Sequence, residues 1–571
     1  MSAQVVRVMN RGFSLTVYAI SAAFFGCFLI WPILQILQGG FFVDGEFSLV
    51  FFAEVFSNPI YLEGLVNSFG MGLFSTILAL FLALPLAYVA DRYEFRGKTI
   101  CLGLALLPIM LPPFVGAIGI QQILGRHGVF NVILTKLGLM NPDMPMDWLA
   151  DGRFWGIIVL NALSLYPILY LNTAASLANI DPAMEEAAEN LGCRGWKKFF
   201  KITLPLMRPG LFAGCTIVFI WAFTELGVPL IFNFQRVTSV QIFDGLKEVG
   251  NNPFPYALVT VMLVFSIVLY LIGKGLFGRN TFTMMAKAGH ASSAKKLGPL
   301  GQTLCLSLFV GVSFIALLPH LAVILISFSS DWYNSILPTG WTLHNFELAL
   351  SNGLTVPSIR NSLFYAGVAT LLNGAFGLAI AYVVVRSKLP GRGVLDTLSM
   401  LPLAVPGLVM AFGYFTMAQE GKFFGFLNPI ENPTWLLIIA YAVRKLPFMV
   451  RSAVAGLQQT SETYEEAAQN LGCPPVKAAF KVTLPLIMAN LLAGAILAFS
   501  QSMLEVSDSL ILAVKQEFYP ITKAMFELMS LLGDGPYLAC ALGVWAMCFL
   551  AVTIIGANLL LGKRLGAIFR V

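Results

Sequence analysis

About a dozen stretches of 20 or more mostly apolar residues recur along this chain, and they constrain its fold more than any motif does. They fall at roughly 13–37, 65–90, 99–124, 154–177, 210–231, 256–275, 304–327, 361–385, 394–417, 434–457, 487–513 and 536–561. A helix crossing the hydrocarbon core of a bilayer needs about 20 apolar residues, and only a helix or a closed barrel satisfies its own backbone there. Composition agrees: 58% of residues are hydrophobic and 11% charged, where a soluble domain carries about 25% charged. The sequence therefore predicts an all-α integral membrane protein of about 12 transmembrane helices, with the lipid bilayer as its solvent.

The first apolar run follows Arg7 and Arg11. It is too long for a signal-peptide core and no small-residue cleavage site follows, so it reads as a retained helix with the N-terminus inside. The loops 91–98, 178–209, 276–303, 386–393 and 458–486 are then cytoplasmic. They carry Arg92, Arg96, Lys98, Arg194, Lys197, Lys198, Lys201, Arg279, Lys287, Lys295, Lys296, Arg386, Lys388, Arg392, Lys477 and Lys481, and the tail adds Lys563, Arg564 and Arg570. Lysine and arginine are retained on the cytoplasmic side, so both termini are expected inside. The net charge of +6 is too mild to argue for a nucleic-acid partner. Cys27, Cys101, Cys193, Cys215, Cys305, Cys473, Cys540 and Cys548 all fall in spans, at span ends or in cytoplasmic loops, which predicts no structural disulfide. His127, His290, His320 and His344 are scattered and offer no metal-ligand spacing.

The chain repeats itself. Asn67-Ser68 returns as Asn361-Ser362, Ala87-Tyr88 as Ala381-Tyr382 and Leu107-Pro108 as Leu401-Pro402, each 294 positions later. Further on the offset becomes 280, so an insertion lies in the outer loop between the third and fourth spans of the first half. The segment KAGHASSAKKLGPLG has no apolar period and reads as a linker. The expected organisation is two pseudo-symmetric halves, 1–275 and 304–571, joined by a cytoplasmic linker at 276–303.

The clearest repeat is polar. EEAAENLGCRGWKKFFKITLPL at 185–206 returns as EEAAQNLGCPPVKAAFKVTLPL at 465–486, with 15 of 22 positions identical. Asp181 and Ser461 suit helix N-caps, and Pro182 suits a first turn. Gly192 and Gly472 stand where a helix C-cap favours the left-handed region. A second short helix is expected after each glycine, with Leu204-Pro205 and Leu484-Pro485 then bending the chain back into the membrane. Small alanines admit close approach of another protein, and the Glu and Lys residues offer it charges.

This spacing resembles the EAA signature of type I ATP-binding-cassette (ABC) importer permeases: Glu186, Ala187, Ala188, Gly192, Ile202, Leu204 and Pro205 fit it, and the second copy departs only with Val482. Over its whole length the chain looks like the fused permeases of the ferric iron importer family. The resemblance implies the type I ABC importer permease fold in a bacterial inner membrane. It implies that each loop docks one of two copies of an ATPase subunit, through Glu185, Glu186, Ala187, Ala188, Gly192, Leu204 and Pro205 in one half and Glu465, Glu466, Ala467, Ala468, Gly472, Leu484 and Pro485 in the other. A periplasmic substrate-binding protein delivers cargo from outside. ATP and Mg belong to the partner ATPase and no cofactor is expected on this chain, which has no Walker A motif and no catalytic constellation. Ferric iron is the first expectation for cargo; 2-aminoethylphosphonate, thiamine, polyamines and other small solutes are the alternatives. A secondary transporter also accommodates twelve helices in two halves, but needs neither the duplicated loop nor an ATPase.

Carboxylates inside spans are costly and usually face a bundle interior or a wet cavity. Glu225 and Glu505 are 280 positions apart, and Asp508 lies one turn beyond Glu505. A matched pair is a candidate lining of a translocation pathway suited to a cation. The structural alternative is that each bonds to backbone or to a neighbouring helix near the end of its span. Arg444 and Lys445 have no first-half counterpart and either pair with Glu505 or Asp508 or snorkel to an interface. The proline-rich segments 106–119 and 400–413 predict kinked or closely packed helices.

Overall fold

The computed structural model describes residues 2–43, 45–110, 113–149, 152–246, 252–277, 295–387, 389–531 and 533–561. Most of the expected linker and the basic tail at 562–571 lie outside the described residues. The chain is helical nearly throughout, with three two-stranded ribbons. In one of them Tyr93–Glu94 pairs in parallel with Lys295–Lys296, which sets the end of the expected linker beside the loop at 93–97.

The first half opens with α1 (Ser2–Phe25) and α2 (Trp31–Phe41), continuous through a π-turn at Gly26–Ile30. Then come α3 (Pro59–Arg92), α4 (Lys98–Leu106), α5 (Pro113–Leu124), α6 (Arg153–Ala178) and the short α7 (Pro182–Asn190). It closes with α8 (Leu204–Phe223), the one-turn α9 (Gly227–Ile231), α10 (Thr238–Gly245) and α11 (Phe254–Phe277). The second half repeats the order as α12 (Pro299–Ser327), α13 (Thr355–Arg386), α14 (Arg392–Met400), α15 (Gly407–Met417), α16 (Thr434–Gln459) and α17 (Thr463–Asn470). It ends with α18 (Leu484–Met503), α19 (Ser507–Leu512), α20 (Ile521–Met529) and α21 (Gly535–Leu561).

Among the described residues nine helices are long and apolar enough to span a membrane, eleven when each sharply bent pair counts as one span. The expected span at 434–457 is α16; its Arg444, Lys445 and Arg451 keep it out of that set. Four expected spans differ in form. Those at 99–124 and 394–417 are not straight: they turn by 95° and 97° at the duplicated proline segments. Proline has no N–H to continue the helical ladder and its ring pushes the preceding turn aside. Those at 210–231 and 487–513 stop at Phe223 and Met503, and a break of three residues separates each from α9 or α19.

The halves are interlocked. The opening helix of each packs against the bent segment of the other, α2 on α15 and α12 on α4 and α5. Repeat-equivalent glycines stand at these crossings. A Cβ on Gly413 would come within 2.9 Å of Pro32 Cβ, and one on Gly119 would overlap the carbonyl oxygen of Pro319. Tyr414 Oη donates to Phe28 O across the seam at 2.7 Å. The repeated Asn-Ser pairs anchor the segments that follow each break. Asn67 Nδ2 donates to Arg236 O at 2.8 Å and Thr238 N donates to Ser68 Oγ at 2.9 Å. In the second half Asn361 Nδ2 donates to Tyr519 O at 3.2 Å and Ile521 N donates to Ser362 Oγ at 2.7 Å. These side chains satisfy backbone groups that a non-helical segment would otherwise leave unpaired.

Candidate functional site

Each polar repeat folds as a short helix, a glycine turn and the start of a long helix. Asp181 caps α7 by accepting from Ala183 N at 3.0 Å, and Ser461 Oγ accepts from Thr463 N at 3.3 Å. Gly192 and Gly472 end these helices at φ of 81° and 88°, the left-handed region that a side chain disfavours by about 1–2 kcal/mol. Leu204-Pro205 and Leu484-Pro485 do not bend the chain, contrary to the sequence expectation. Helix begins at Gly195 or Pro475, passes through a π-turn at Phe199–Thr203 or Ala479–Thr483, and runs on as α8 or α18. Leu204 N bonds Phe199 O and Leu484 N bonds Ala479 O, five residues back. The extra residue in the turn resets the ladder just before a proline that cannot take part in it.

The two adjacent glutamates of each motif have separate fates. Glu185 is buried: Arg92 Nη2 donates to its Oε1 at 2.8 Å, Thr203 Oγ1 donates to the same oxygen at 2.7 Å, and Lys198 Nζ lies 3.8 Å from Oε2. Glu465 repeats this, accepting from Thr483 Oγ1 at 2.5 Å and Tyr382 Oη at 3.1 Å, with Arg386 Nε 3.6 Å away. These carboxylates pin the loops to the ends of α3 and α13. Glu186, Ala187, Glu466 and Ala467 are exposed, while Ala188 is buried and Ala468 half-buried. Beside the exposed set stand Leu191 and Leu471, 88% and 90% exposed, with Trp196, Phe200, Tyr464 and Phe480. Apolar side chains this open beside charged ones make a surface suited to a protein partner. Sequence reasoning missed Arg92, Arg386, Thr203 and Thr483, although each pair obeys the 294 or 280 offset.

Glu225 and Glu505 lie at the other end of the same long helices, in the breaks after α8 and α18; the candidate span Gly195–Ile231 runs through Glu225, whereas Ala479–Met503 ends before Glu505. Each of these helices has 20 residues, about 30 Å of rise. The two breaks approach each other: a Cβ on Gly227 would lie 3.3 Å from Val506 Cγ1. Glu225 Oε1 accepts from Gly227 N at 3.0 Å and Val228 N at 3.3 Å, capping α9. The backbone carbonyls of both glutamates are held alike, Glu225 O by Ser239 Oγ at 2.6 Å and Glu505 O by Thr522 Oγ1 at 2.7 Å.

The side chains differ. Glu505 is ion-paired with Arg444 and, at 2.6 Å, with Lys445 Nζ; Asp508 Oδ2 lies 3.2 Å from Arg444 Nη1. Two cations thus face two anions. Of the two outcomes open for Arg444 and Lys445, pairing with Glu505 and Asp508 is the one the structure has, and it sets the second-half carboxylates apart from Glu225. Among the described residues no ion pair reaches Glu225, and no three His, Cys, Asp or Glu side chains are gathered to hold a metal ion.

Residues 75–282 and 374–558 each match the family described as "Binding-protein-dependent transport system inner membrane component". The chain is similar to the ferric transport system permease protein FbpB of Actinobacillus pleuropneumoniae, 29% identical over 500 residues, or 84% of this chain and 69% of that protein. It is likewise similar to a putative ferric transport system permease protein FbpB 1 of Haemophilus influenzae, 29% identical over 501 residues, or 84% of this chain and 75% of that one. The spermidine/putrescine transport system permease protein PotB of Haemophilus influenzae is 25% identical over 286 residues, covering 48% of this chain and 98% of its own.

Proposed function

The chain belongs to the binding-protein-dependent transport system inner membrane component family, the permeases of ABC importers, and from that premise we propose that it is a fused permease carrying ferric iron into the cytoplasm. One observation carries this reading: two equivalent helices each bear the repeated polar loop at one end and a carboxyl-bearing break, near the seam between the halves, at the other. Each loop docks one copy of an ATPase subunit through its exposed Glu-Ala face and its apolar neighbours. Closure of the ATPase pair pushes α8 and α18, which transmit the motion as rods to the breaks. The breaks line the passage, with Glu225, Glu505 and Asp508 on it, and a periplasmic binding protein loads it from outside. Both termini and both loops lie on the cytoplasmic side, where the Lys and Arg residues of the loops are retained.

Iron is favoured by the two relatives named as ferric permeases, which match over 84% of this chain. A polyamine is the second reading, favoured by the spermidine/putrescine permease that matches 48% of it. The test is uptake of labelled ferric iron in cells lacking this chain, with and without its return, the ATPase and binding protein being present throughout. Dependence on the chain, abolished by Gly192→Asp with Gly472→Asp together with loss of ATPase co-purification, is the expected result. Iron uptake that ignores the chain refutes the cargo, and undiminished co-purification with both glycines replaced refutes the docking.

A further inference from the structure

The charge cluster at Glu505 is confined to one half. Arg444 and Lys445 project from the middle of α16 and hold Glu505 and Asp508 at the break between α18 and α19. Arg444 also lies on α15, for any side chain at Gly407 would overlap its guanidinium. Three elements of the second half are therefore fastened to one another at this point. In the first half, the positions 280 residues earlier hold Ser164, Leu165, Glu225 and Val228, and Pro113 stands 294 residues before Gly407. Ser164 Oγ is buried with no partner among the described residues. The Glu225 side chain bonds the backbone of its own break. No ion pair ties that break to α6, the counterpart of α16.

This asymmetry has mechanical weight. Separating buried ion pairs leaves uncompensated charges in a medium that solvates them poorly. A break held by its own backbone caps gives up ordinary hydrogen bonds when it moves. The two breaks touch at Gly227 and Val506, so a passage between them opens when either one withdraws.

We infer that Arg444 and Lys445 are positioning residues that hold the second-half break as a stationary abutment, so that opening is borne by the first-half break at 224–226. This rests on the reading of the breaks as passage lining. The test uses the whole importer in vesicles, with Leu226→Cys or the repeat-equivalent Val506→Cys. Maleimide modification of each new cysteine is followed by peptide mass spectrometry, which keeps the native cysteines apart, in nucleotide-free and in ATP-and-vanadate-trapped states. Modification at 226 should change about tenfold or more between the states, and at 506 less than about twofold. Arg444→Gln with Lys445→Met should bring the change at 506 up to that at 226, whereas Lys445→Arg, which keeps the charge, should leave it small. Equal changes at both positions with Arg444 and Lys445 intact overturn the inference and spare the passage reading. Change at neither position overturns both. Should the doubly neutral variant fail to assemble, the two single-cysteine proteins decide the matter alone.

Discussion

Glu185 and Glu186 are chain neighbours with opposite work. Glu185 faces inward to Arg92 and Thr203, and its removal takes from the Arg92 guanidinium the nearer of its two carboxylates, leaving Asp91 at 3.3 Å. Glu185→Ala should cost about 2–3 kcal/mol, read as a lower melting temperature of the purified protein. Glu186→Ala, on the exposed face, should stay within about 0.5 kcal/mol yet weaken capture of the ATPase. A reversed pattern would refute the division. The repeat made both residues legible, but not which of the two turns inward, because the partners lie 93 and 18 residues away in the chain. Arg444 and Lys445 were legible as anomalies, charges in an apolar run. Their pairing with Glu505 became definite only once α16 and the α18–α19 break stood side by side.

Among elements, hydropathy located the spans well because each needs a long apolar run. It was blind to the two near-right-angle bends and to the helix ends at Phe223 and Met503. The signs lay elsewhere in the sequence: the duplicated prolines mark the bends, and Glu225 and Glu505 interrupt the apolar run at the two helix ends. The glycines at the crossings are a sharper signal once seen in pairs. At Gly413 an added methyl would gain about 1 kcal/mol of helix propensity. It would also press on Pro32 Cβ at 2.9 Å and Pro32 O at 3.1 Å, and overpacking of that kind costs about 1–3 kcal/mol. The backbone oxygen cannot move aside, so Gly413→Ala should be net destabilising in a thermal melt. Gly311→Ala, with nothing within 4 Å, should be neutral or slightly stabilising. An unchanged Gly413→Ala melt would mean that the α2–α15 crossing is looser than the structure has it.

For the molecule as a whole, exchange of opening helices means that the seam between the halves does not follow the chain. Both halves contribute to each crossing, and the covalent link is not what holds them. Cutting between Met285 and Ala286 and co-expressing the two pieces should yield fragments that co-purify, because α2 and α12 each remain clasped by the other half. Fragments that insert in the membrane but do not associate would refute the two-half organisation. The repeat in the sequence announced two halves, but the clasp was illegible: two equivalent halves set side by side or interlocked have the same apolar spans and the same offsets.

The π-turn at Phe199–Thr203 and its twin at Ala479–Thr483 carry a consequence for how this chain tolerates change in length. Each holds one residue more than the α-ladder uses, and each lies between a surface outside the membrane and a helix inside it. Loss of a single residue there would turn the downstream helix by about 100° about its axis, swinging lipid-facing side chains towards the core. The loop between the third and fourth spans absorbs fourteen residues of difference between the halves without such a penalty, since no azimuth depends on it. Length is thus free variation on one side of this protein and a screw setting on the other.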